Sequence, residues 1–147
     1  MRGLRWGIKA SFIRYVAGMP DGVMSVTDGA VDTPEGFLFP VRDSTQFDPR
    51  TGMGRIRFAG DVRFRAHGGA LQLRIAEPEL VADENGATLF VGAVGDTRLP
   101  VAALSAPRPA QGGGIEISAT LTAEAVPYFN DVYAAGTALD PIVIRGV

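Results

Sequence analysis

The sequence is organised around the run Val62-Arg63-Phe64-Arg65-Ala66-His67-Gly68-Gly69-Ala70-Leu71-Gln72-Leu73. Apolar and polar side chains alternate on both sides of the two glycines, and a period of two is typical of a half-buried β-strand. Gly68 and Gly69 are suited to a tight connection between antiparallel strands. The run therefore predicts a β-hairpin, with His67, the only histidine of the chain, at its turn.

The same alternation extends outward from this hairpin. Ile56 and Phe58 alternate with Arg55 and Arg57 before a bend at residues 59–61. Further strands are predicted at residues 88–94, 97–104, 115–121 and 142–144, with one or two more between residues 23 and 39 and an irregular loop at 45–53. Many short strands separated by turns predict a mostly β fold, an antiparallel β-sandwich or barrel-like sheet.

A short helix is predicted at the N-terminus. Leu4, Ile8, Phe12 and Tyr15 are spaced by four, four and three residues, which places them on one face of a helix of about three turns. The helix is expected to end near Gly18. Tyr15 then lies on its buried face, in the last turn.

A second short helix is predicted near the C-terminus. Thr122 is a suitable N-cap, and the helix would run to Phe129 or beyond. Pro127 lies inside this range and lacks a backbone N–H, so the helix must start late or be distorted.

Length and composition favour a single globular domain that spans residues 1–147. A chain of 147 residues can bury roughly 70% of the surface that it exposes when unfolded. The net charge of −2 gives no long-range attraction for nucleic acid or an anionic membrane. The absence of cysteine excludes disulfides, zinc–thiolate sites and thiol nucleophiles.

The sequence shows no membrane segment and no secretory signal peptide. No apolar stretch approaches the roughly 18 residues of a membrane helix, and the first residues lack the charged, apolar and small pattern of a signal. We expect a cytoplasmic protein; the alternative is a domain excised from an exported or cell-surface parent.

Three segments together carry a resemblance to a known family, the HtaA domain, an actinobacterial haem-binding module. The segments are Trp6-Gly7-Ile8-Lys9-Ala10-Ser11-Phe12-Ile13-Arg14-Tyr15-Val16, Phe58-Ala59-Gly60-Asp61-Val62-Arg63-Phe64-Arg65-Ala66-His67-Gly68-Gly69, and Tyr133-Ala134-Ala135-Gly136-Thr137-Ala138-Leu139-Asp140-Pro141. The resemblance spans essentially the whole chain. It implies a mostly β fold that binds ferric haem through a tyrosine and serves haem uptake or transfer, with the family's tyrosine and histidine positions at Tyr15, His67 and Tyr133.

The chemistry of these residues agrees with that implication. Ferric iron is a hard cation that favours an anionic oxygen ligand such as a phenolate. A phenol ordinarily has a pKa of about 10, so its anion needs the metal or a neighbour to stabilise it. The hypothesis is that Tyr15 is the axial ligand of ferric haem b, and that His67 hydrogen-bonds its oxygen.

Other roles stay open for the same residues. His67 is an alternative axial ligand, with Tyr15 as its supporting group. Tyr133 is assigned to the haem pocket or to a hydrogen bond, although the small residues after it equally fit a tight turn. Without haem, Tyr15 would be a core residue with its hydroxyl at the rim.

Four arginines on the alternating strands are predicted to line one sheet face; they are Arg55, Arg57, Arg63 and Arg65. They are candidates for haem propionates, but a solvated polar face is favoured. Trp6, Phe58 and Phe64 are expected in the core, and Tyr128 is expected to be structural.

The sequence favours a carrier over an enzyme. A haem enzyme, either peroxidase-like or haem-degrading, needs a distal acid–base group, and the single histidine is already assigned to Tyr15. No catalytic triad order, phosphate loop or paired-carboxylate motif is present. The remaining alternative is a β-domain that binds protein or another apolar ligand without haem. Other haem-carrier proteins are candidate partners, and a homodimer is an open arrangement.

Overall fold

The computed structural model describes residues 2–92 and 97–147. The end of the predicted 88–94 strand and the turn predicted at residues 95–96 lie outside this part. The described residues form one α-helix, α1 (Ala10–Ala17), and thirteen β-strands. The strands are β1 (Gly3–Trp6), β2 (Val23–Thr27), β3 (Val31–Thr33), β4 (Gly36–Asp43), β5 (Phe47–Asp48), β6 (Met53–Phe58), β7 (Asp61–Ala66), β8 (Leu71–Ala76), β9 (Glu79–Asp83), β10 (Gly86–Gly92), β11 (Arg98–Pro109), β12 (Ile115–Leu121) and β13 (Ala138–Arg145).

The larger sheet closes into a barrel. Its strands follow the order β3-β4-β1-β13-β12-β11-β10-β9-β6-β5, and β4 also pairs with β6. The eight strands from β4 round to β6 therefore form a ring of antiparallel neighbours, which leaves no open edge within the ring. Fully buried Trp6, Phe39, Phe58 and Leu89 occupy the barrel interior. The expectation of a mostly β, barrel-like antiparallel fold is confirmed.

A three-stranded sheet, β2-β7-β8, packs at one end of this barrel. The predicted hairpin is its central feature, since Ala66 pairs with Leu71, and residues 67–69 form a tight turn with positive φ angles between β7 and β8. Phe64 of β7 meets Phe37 of β4, with ring centroids 5.9 Å apart. This contact joins the small sheet to the barrel through one hydrophobic core.

The predicted three-turn N-terminal helix is wrong in its first half. Leu4 and Trp6 belong to β1, which pairs with β4 on one side and β13 on the other. Backbone pairing on both sides outweighs the helical spacing of these side chains, because a central strand satisfies nearly all its polar backbone groups. The helix begins only at Ala10, and its buried residues are Phe12 and Val16.

The exposure of Tyr15 was also predicted wrongly. A helix of eight residues buries a narrow stripe, and Phe12 and Val16 take that stripe with a spacing of four. Tyr15 lies at its border, and 46% of its surface is exposed. The residue expected in the core thus presents its ring to solvent.

The second predicted helix is reduced to one 3₁₀ turn, Pro127–Phe129. Thr122 does cap a turn, since its hydroxyl accepts a hydrogen bond from the backbone N–H of Ala125 at 3.2 Å. Pro127 opens the 3₁₀ turn, and Asn130 ends it in a left-handed conformation with φ of 59°. In the described part of the chain, no helix is long and apolar enough to cross a membrane.

The strand predictions differ from the structure mainly at their ends. Residues 115–121 coincide with β12, whereas the predicted 142–144 strand is the end of the longer β13. The region 23–39 holds β2, β3 and the start of β4 instead of one or two strands. β9 was missed because its centre, Leu80-Val81-Ala82, is uniformly apolar and shows no alternation.

Candidate functional site

The structure brings Tyr15 and His67 into direct contact. The Tyr15 hydroxyl lies 3.2 Å from Nε2 of His67, and the two rings are 6.2 Å apart at an angle of 59°. Tyr15 comes from the last turns of α1 and His67 from the β7–β8 turn, 52 positions later. The contact therefore exists only because α1 packs across the small sheet.

Aromatic packing fixes α1 in that position. The ring of Phe12 meets those of Phe64 and Phe129 edge to face, with centroids 5.8 and 5.7 Å apart. Edge-to-face pairs are favoured because the positive edge of one ring faces the negative face of the other. Since Tyr15 follows Phe12 by three positions, it lies beside this anchored face and above the hairpin turn.

His67 occupies a left-handed backbone conformation, which is uncommon for residues other than glycine. Its φ is 53°, in the left-handed region, which few residues other than glycine adopt, although asparagine, aspartate and histidine are enriched there. The carboxylate of Asp21 accepts hydrogen bonds from the backbone N–H of His67 at 3.2 Å and of Gly68 at 2.7 Å. These two bonds hold the turn in the conformation that directs the imidazole at Tyr15.

Asp21 was missed as a site residue, since the sequence indicated only a turn at Asp21-Gly22. The hydrogen bond from Gly68 is the main cause that lowers the pKa of Asp21 below 3.8, and the charge of His67 contributes in the same direction. The carboxylate is therefore ionised at neutral pH and remains a strong acceptor. No local pattern pairs Asp21 with residues 46 and 47 positions away.

Tyr133, the third predicted site residue, contacts the same helix at another point. Its hydroxyl lies 3.0 Å from Oγ of Ser11, and Nζ of Lys9 lies 5.1 Å from its ring centroid. Ser11 precedes Tyr15 by four residues, so both lie on one side of α1. The structure thus sets Tyr133 one helical turn from the Tyr15–His67 pair. Ser11 was missed, although its spacing from Tyr15 was a usable signal.

The four predicted arginines do not share one sheet face. Arg55 and Arg57 lie on β6 of the barrel, where Nε of Arg57 is 3.1 Å from Oε2 of Glu79. Arg63 and Arg65 lie on β7 of the small sheet. The bend between β6 and β7 passes the chain from one sheet to the other, which local alternation could not indicate.

Arg63 has a buried acidic partner. Asp61 is 2% exposed, and its Oδ2 lies 2.9 Å from Nη2 of Arg63 and 3.0 Å from Nη2 of Arg74. Burial alone raises the pKa of Asp61, but hydrogen bonds from the two arginines outweigh it and leave the pKa below 3.8. This triad ties β7 to β8 and has a structural role.

Tyr128 is also part of this structural region. Its hydroxyl donates a hydrogen bond to the backbone carbonyl of Arg74. Burial raises the pKa of Tyr128 above 10. A phenol that is kept protonated and bonded to a carbonyl is poorly suited to bind a metal.

Carboxylates and the histidine do not form a metal cage among the residues that the structure describes. No group of three or more aspartate, glutamate or histidine side chains converges there. Among the described residues, the exposed phenol of Tyr15 beside the His67 imidazole is the arrangement best suited to bind iron. It offers a single oxygen ligand, so the other ligands of the iron would have to come from the bound molecule.

These features define a small barrel domain with a capping sheet and a surface tyrosine–histidine pair. The HtaA family model, described as Htaa, matches residues 2–145. The chain therefore belongs to the HtaA family. Comparison of its sequence with curated proteins finds no match.

Several solved structures have the same fold. The C-terminal domain of HtaA from Corynebacterium glutamicum is 27% identical, with a TM-score of 0.72 over 95% of this chain and 92% of that one. The N-terminal domain of the same HtaA is 23% identical, with a TM-score of 0.79 over 98% and 97%. The haem-binding protein HtaB of that organism is 20% identical, with a TM-score of 0.70 over 96% and 89%.

Proposed function

We propose that this chain binds ferric haem, with the Tyr15 phenolate as axial ligand and His67 as the hydrogen-bond donor to that oxygen. The observation that carries the proposal is the 3.2 Å contact between the Tyr15 hydroxyl and His67 Nε2 on an exposed helix face. Membership of the HtaA family and the haem-binding protein HtaB among its structural relatives support it. The chain then serves in haem uptake, transfer or storage.

The residues around Tyr15 are suited to such a ligand. Tyr15 is 46% exposed, so a planar molecule can approach it without opening the core. Ala134, Ala135 and Gly136 are exposed in the turn after Tyr133, and their small side chains leave room beside α1. We assign Tyr133 to the wall of this site or to a hydrogen bond at its edge.

The chemistry of the pair favours reversible binding. Bound haem supplies a ferric Lewis acid that stabilises the phenolate. His67 Nε2, in the tautomer that carries the proton, donates a hydrogen bond to the phenolate oxygen and orients the ring. Protonation of the phenol removes the anionic ligand, which suits a carrier that must release its cargo.

The absence of cysteine in the sequence supports haem b as the cargo. Covalent attachment of a c-type haem uses cysteine thioethers, and the chain has none. Haem is therefore held without a thioether bond to the protein. Such a complex can transfer its haem intact to a second haem-carrier protein.

The proposal is tested by titration of the purified protein with hemin. Saturable binding with a visible spectrum distinct from free hemin is expected for the wild-type chain, and Tyr15→Phe and Tyr15→Ala are expected to lose it. Tyr128→Phe is the matched control, because its phenol bonds a backbone carbonyl. A wild-type spectrum in Tyr15→Phe would show that the iron ligand is another residue.

The same preparation separates a carrier from an enzyme. Because the only histidine is bonded to Tyr15, we assign no distal acid–base residue and expect peroxidase turnover no higher than that of free hemin. Transfer of haem to apomyoglobin, followed by the shift of the Soret band, measures release. Size-exclusion chromatography with and without hemin tests for the homodimer.

A further inference from the structure

The barrel has a cavity at the end opposite the Tyr15–His67 pair. This cavity has a volume of 550 Å³, within the range of about 300–1,000 Å³ of small-molecule sites. Strands β5, β6 and β9 to β13 contribute residues to its wall. The cavity is therefore the open end of the barrel interior rather than a groove on its outer surface.

The direction of the side chains follows from the alternation along each strand. In β10, Leu89 and Val91 are fully buried, and Ala87 lies on the same face. Ala87 is paired with Ala82 of β9, which lies two residues after buried Leu80. The two neighbouring inward positions, Ala82 and Ala87, thus carry small side chains. They leave this end of the barrel interior unfilled.

The floor and the mouth of the cavity are apolar. Buried Ile56 and Ile144 form part of the wall. At the mouth, Met53, Ile115 and Val147 are 45%, 49% and 37% exposed. Contact of such side chains with water is unfavourable, so an apolar occupant would gain free energy by covering them.

The charges around the cavity restrict the chemical class of this occupant. Asp83 is the one charged side chain among the described residues that line it, and its carboxylate already accepts a hydrogen bond from the backbone N–H of Asn85. An anionic head group would find no arginine or lysine there and would meet a negative charge. A fatty-acid carboxylate is therefore disfavoured.

We propose that this barrel-end cavity binds an uncharged, largely hydrocarbon molecule with the chemistry of a long-chain alcohol. The cavity is separate from the proposed haem site, because none of its lining residues belongs to α1 or the β7–β8 hairpin. Fully buried Trp6, Phe39 and Phe58 fill the barrel between the two sites. We therefore expect the two binding events to be independent.

The experiment uses N-phenyl-1-naphthylamine, an uncharged probe that fluoresces in apolar surroundings. Saturable binding of one probe per chain is expected, with displacement by 1-dodecanol. Dodecanoate is expected to compete about ten-fold less well, because its carboxylate must approach the cavity without a cationic partner. Absence of saturable binding, or equal displacement by dodecanol and dodecanoate, would overturn the proposal.

Substitutions locate the probe. Ala87→Phe fills the cavity and is expected to weaken probe binding at least about ten-fold, whereas Ala103→Phe, on the exposed face of the paired strand, leaves it unchanged. Ile115→Glu places a charge at the exposed mouth without altering the core and is also expected to weaken binding. Unchanged binding in both Ala87→Phe and Ile115→Glu would contradict the assignment.

A last pair of measurements separates this inference from the proposed haem function. Tyr15→Ala is expected to bind the probe like the wild-type chain, and hemin is expected not to displace it. Loss of the probe in Tyr15→Ala would assign it to the haem site and overturn the cavity proposal. If the chain forms a dimer that excludes the probe, a second copy covers the mouth of the cavity, and this result would also overturn the proposal.

Discussion

At the scale of single residues, His67 combines an unfavourable backbone with a specific side-chain contact. A left-handed conformation costs a residue with a Cβ roughly 1–2 kcal/mol, and glycine would avoid that cost at this position. Residues held in such conformations concentrate at functional sites. Asp21 stabilises the conformation through two backbone hydrogen bonds. The Tyr15 contact and the turn held by Asp21 together make the His67 imidazole the candidate partner of the Tyr15 hydroxyl.

The first prediction separates the imidazole of His67 from its backbone. His67→Asn removes the imidazole while keeping a residue that tolerates the left-handed region, so its thermal stability is expected to stay near that of the wild type. His67→Ala is expected to lower stability slightly. Both variants are expected to retain some haem binding with an altered visible spectrum; a wild-type spectrum in both would contradict the role of His67.

The second prediction concerns Asp21 as a positioning residue. Asp21→Ala removes both hydrogen bonds to the turn, so His67 is expected to lose its fixed direction and haem affinity to fall about ten-fold. Asp32→Ala, at an exposed position of β3, is the matched control. The spectrum of bound haem in Asp21→Ala is expected to shift toward that of His67→Ala. Unchanged affinity and spectrum would show that the turn is held by other contacts.

At the scale of elements, the position of α1 determines whether Tyr15 and His67 come into contact. Its eight residues are too few for a stable isolated helix, so docking has to hold it. Phe12 supplies that docking through Phe64 and Phe129. The position of Tyr15 therefore depends on a residue that has no role in ligand chemistry.

The third prediction tests this dependence. Phe12→Ala is expected to lower the free energy of unfolding by about 3–5 kcal/mol because it leaves a cavity between α1 and the small sheet. Arg14→Ala, on the exposed side of the same helix, is expected to change it by less than about 0.5 kcal/mol. Urea unfolding measures both. Equal stability of the two variants would mean that α1 docks through other residues.

How far the local sequence determines an element differs from one element to the next. The hairpin around Gly68-Gly69 and strand β12 were predictable, because alternation with a period of two is a local property. β1 was not, because Leu4 and Ile8 fit the helical spacing that continues to Phe12, although Leu4, Trp6 and Ile8 also alternate as in a strand. Its partners β4 and β13 decided between them, and β13 lies more than 130 positions away.

At the scale of the whole molecule, the barrel and the small sheet share one core and also an ionic link. Asp61 begins β7 directly after the chain leaves the barrel, and it is bonded to Arg63 and Arg74. Because its pKa is lowered in the folded protein, the ionised form favours folding. This stabilisation is present above the unfolded pKa of about 3.8 and is lost as pH falls through the lower folded value.

The fourth prediction follows from this dependence of stability on the ionised Asp61. The urea midpoint of the wild-type chain is expected to fall as pH decreases below about 4. Asp61→Asn is expected to lower the free energy of unfolding by about 1.5–3 kcal/mol at pH 7, because the two arginines lose their hydrogen bonds to a charged carboxylate. Its free energy of unfolding is also expected to depend less on pH. Asp32→Asn is the control. The same acid dependence in Asp61→Asn would assign it to another carboxylate, with Asp21 and Asp43 next to examine because their pKa values are also lowered.

The sequence alone determined the strand-rich class of the fold, the hairpin turn that carries His67, and the identity of Tyr15, His67 and Tyr133 as candidates. Tertiary structure decided that Tyr15 is exposed, that its hydroxyl meets His67, that Asp21 supports the turn, and that the barrel leaves a cavity at its far end. The reason is physical: periodicity is encoded in neighbouring residues, whereas these contacts depend on which distant strands pair and on how closely their side chains pack.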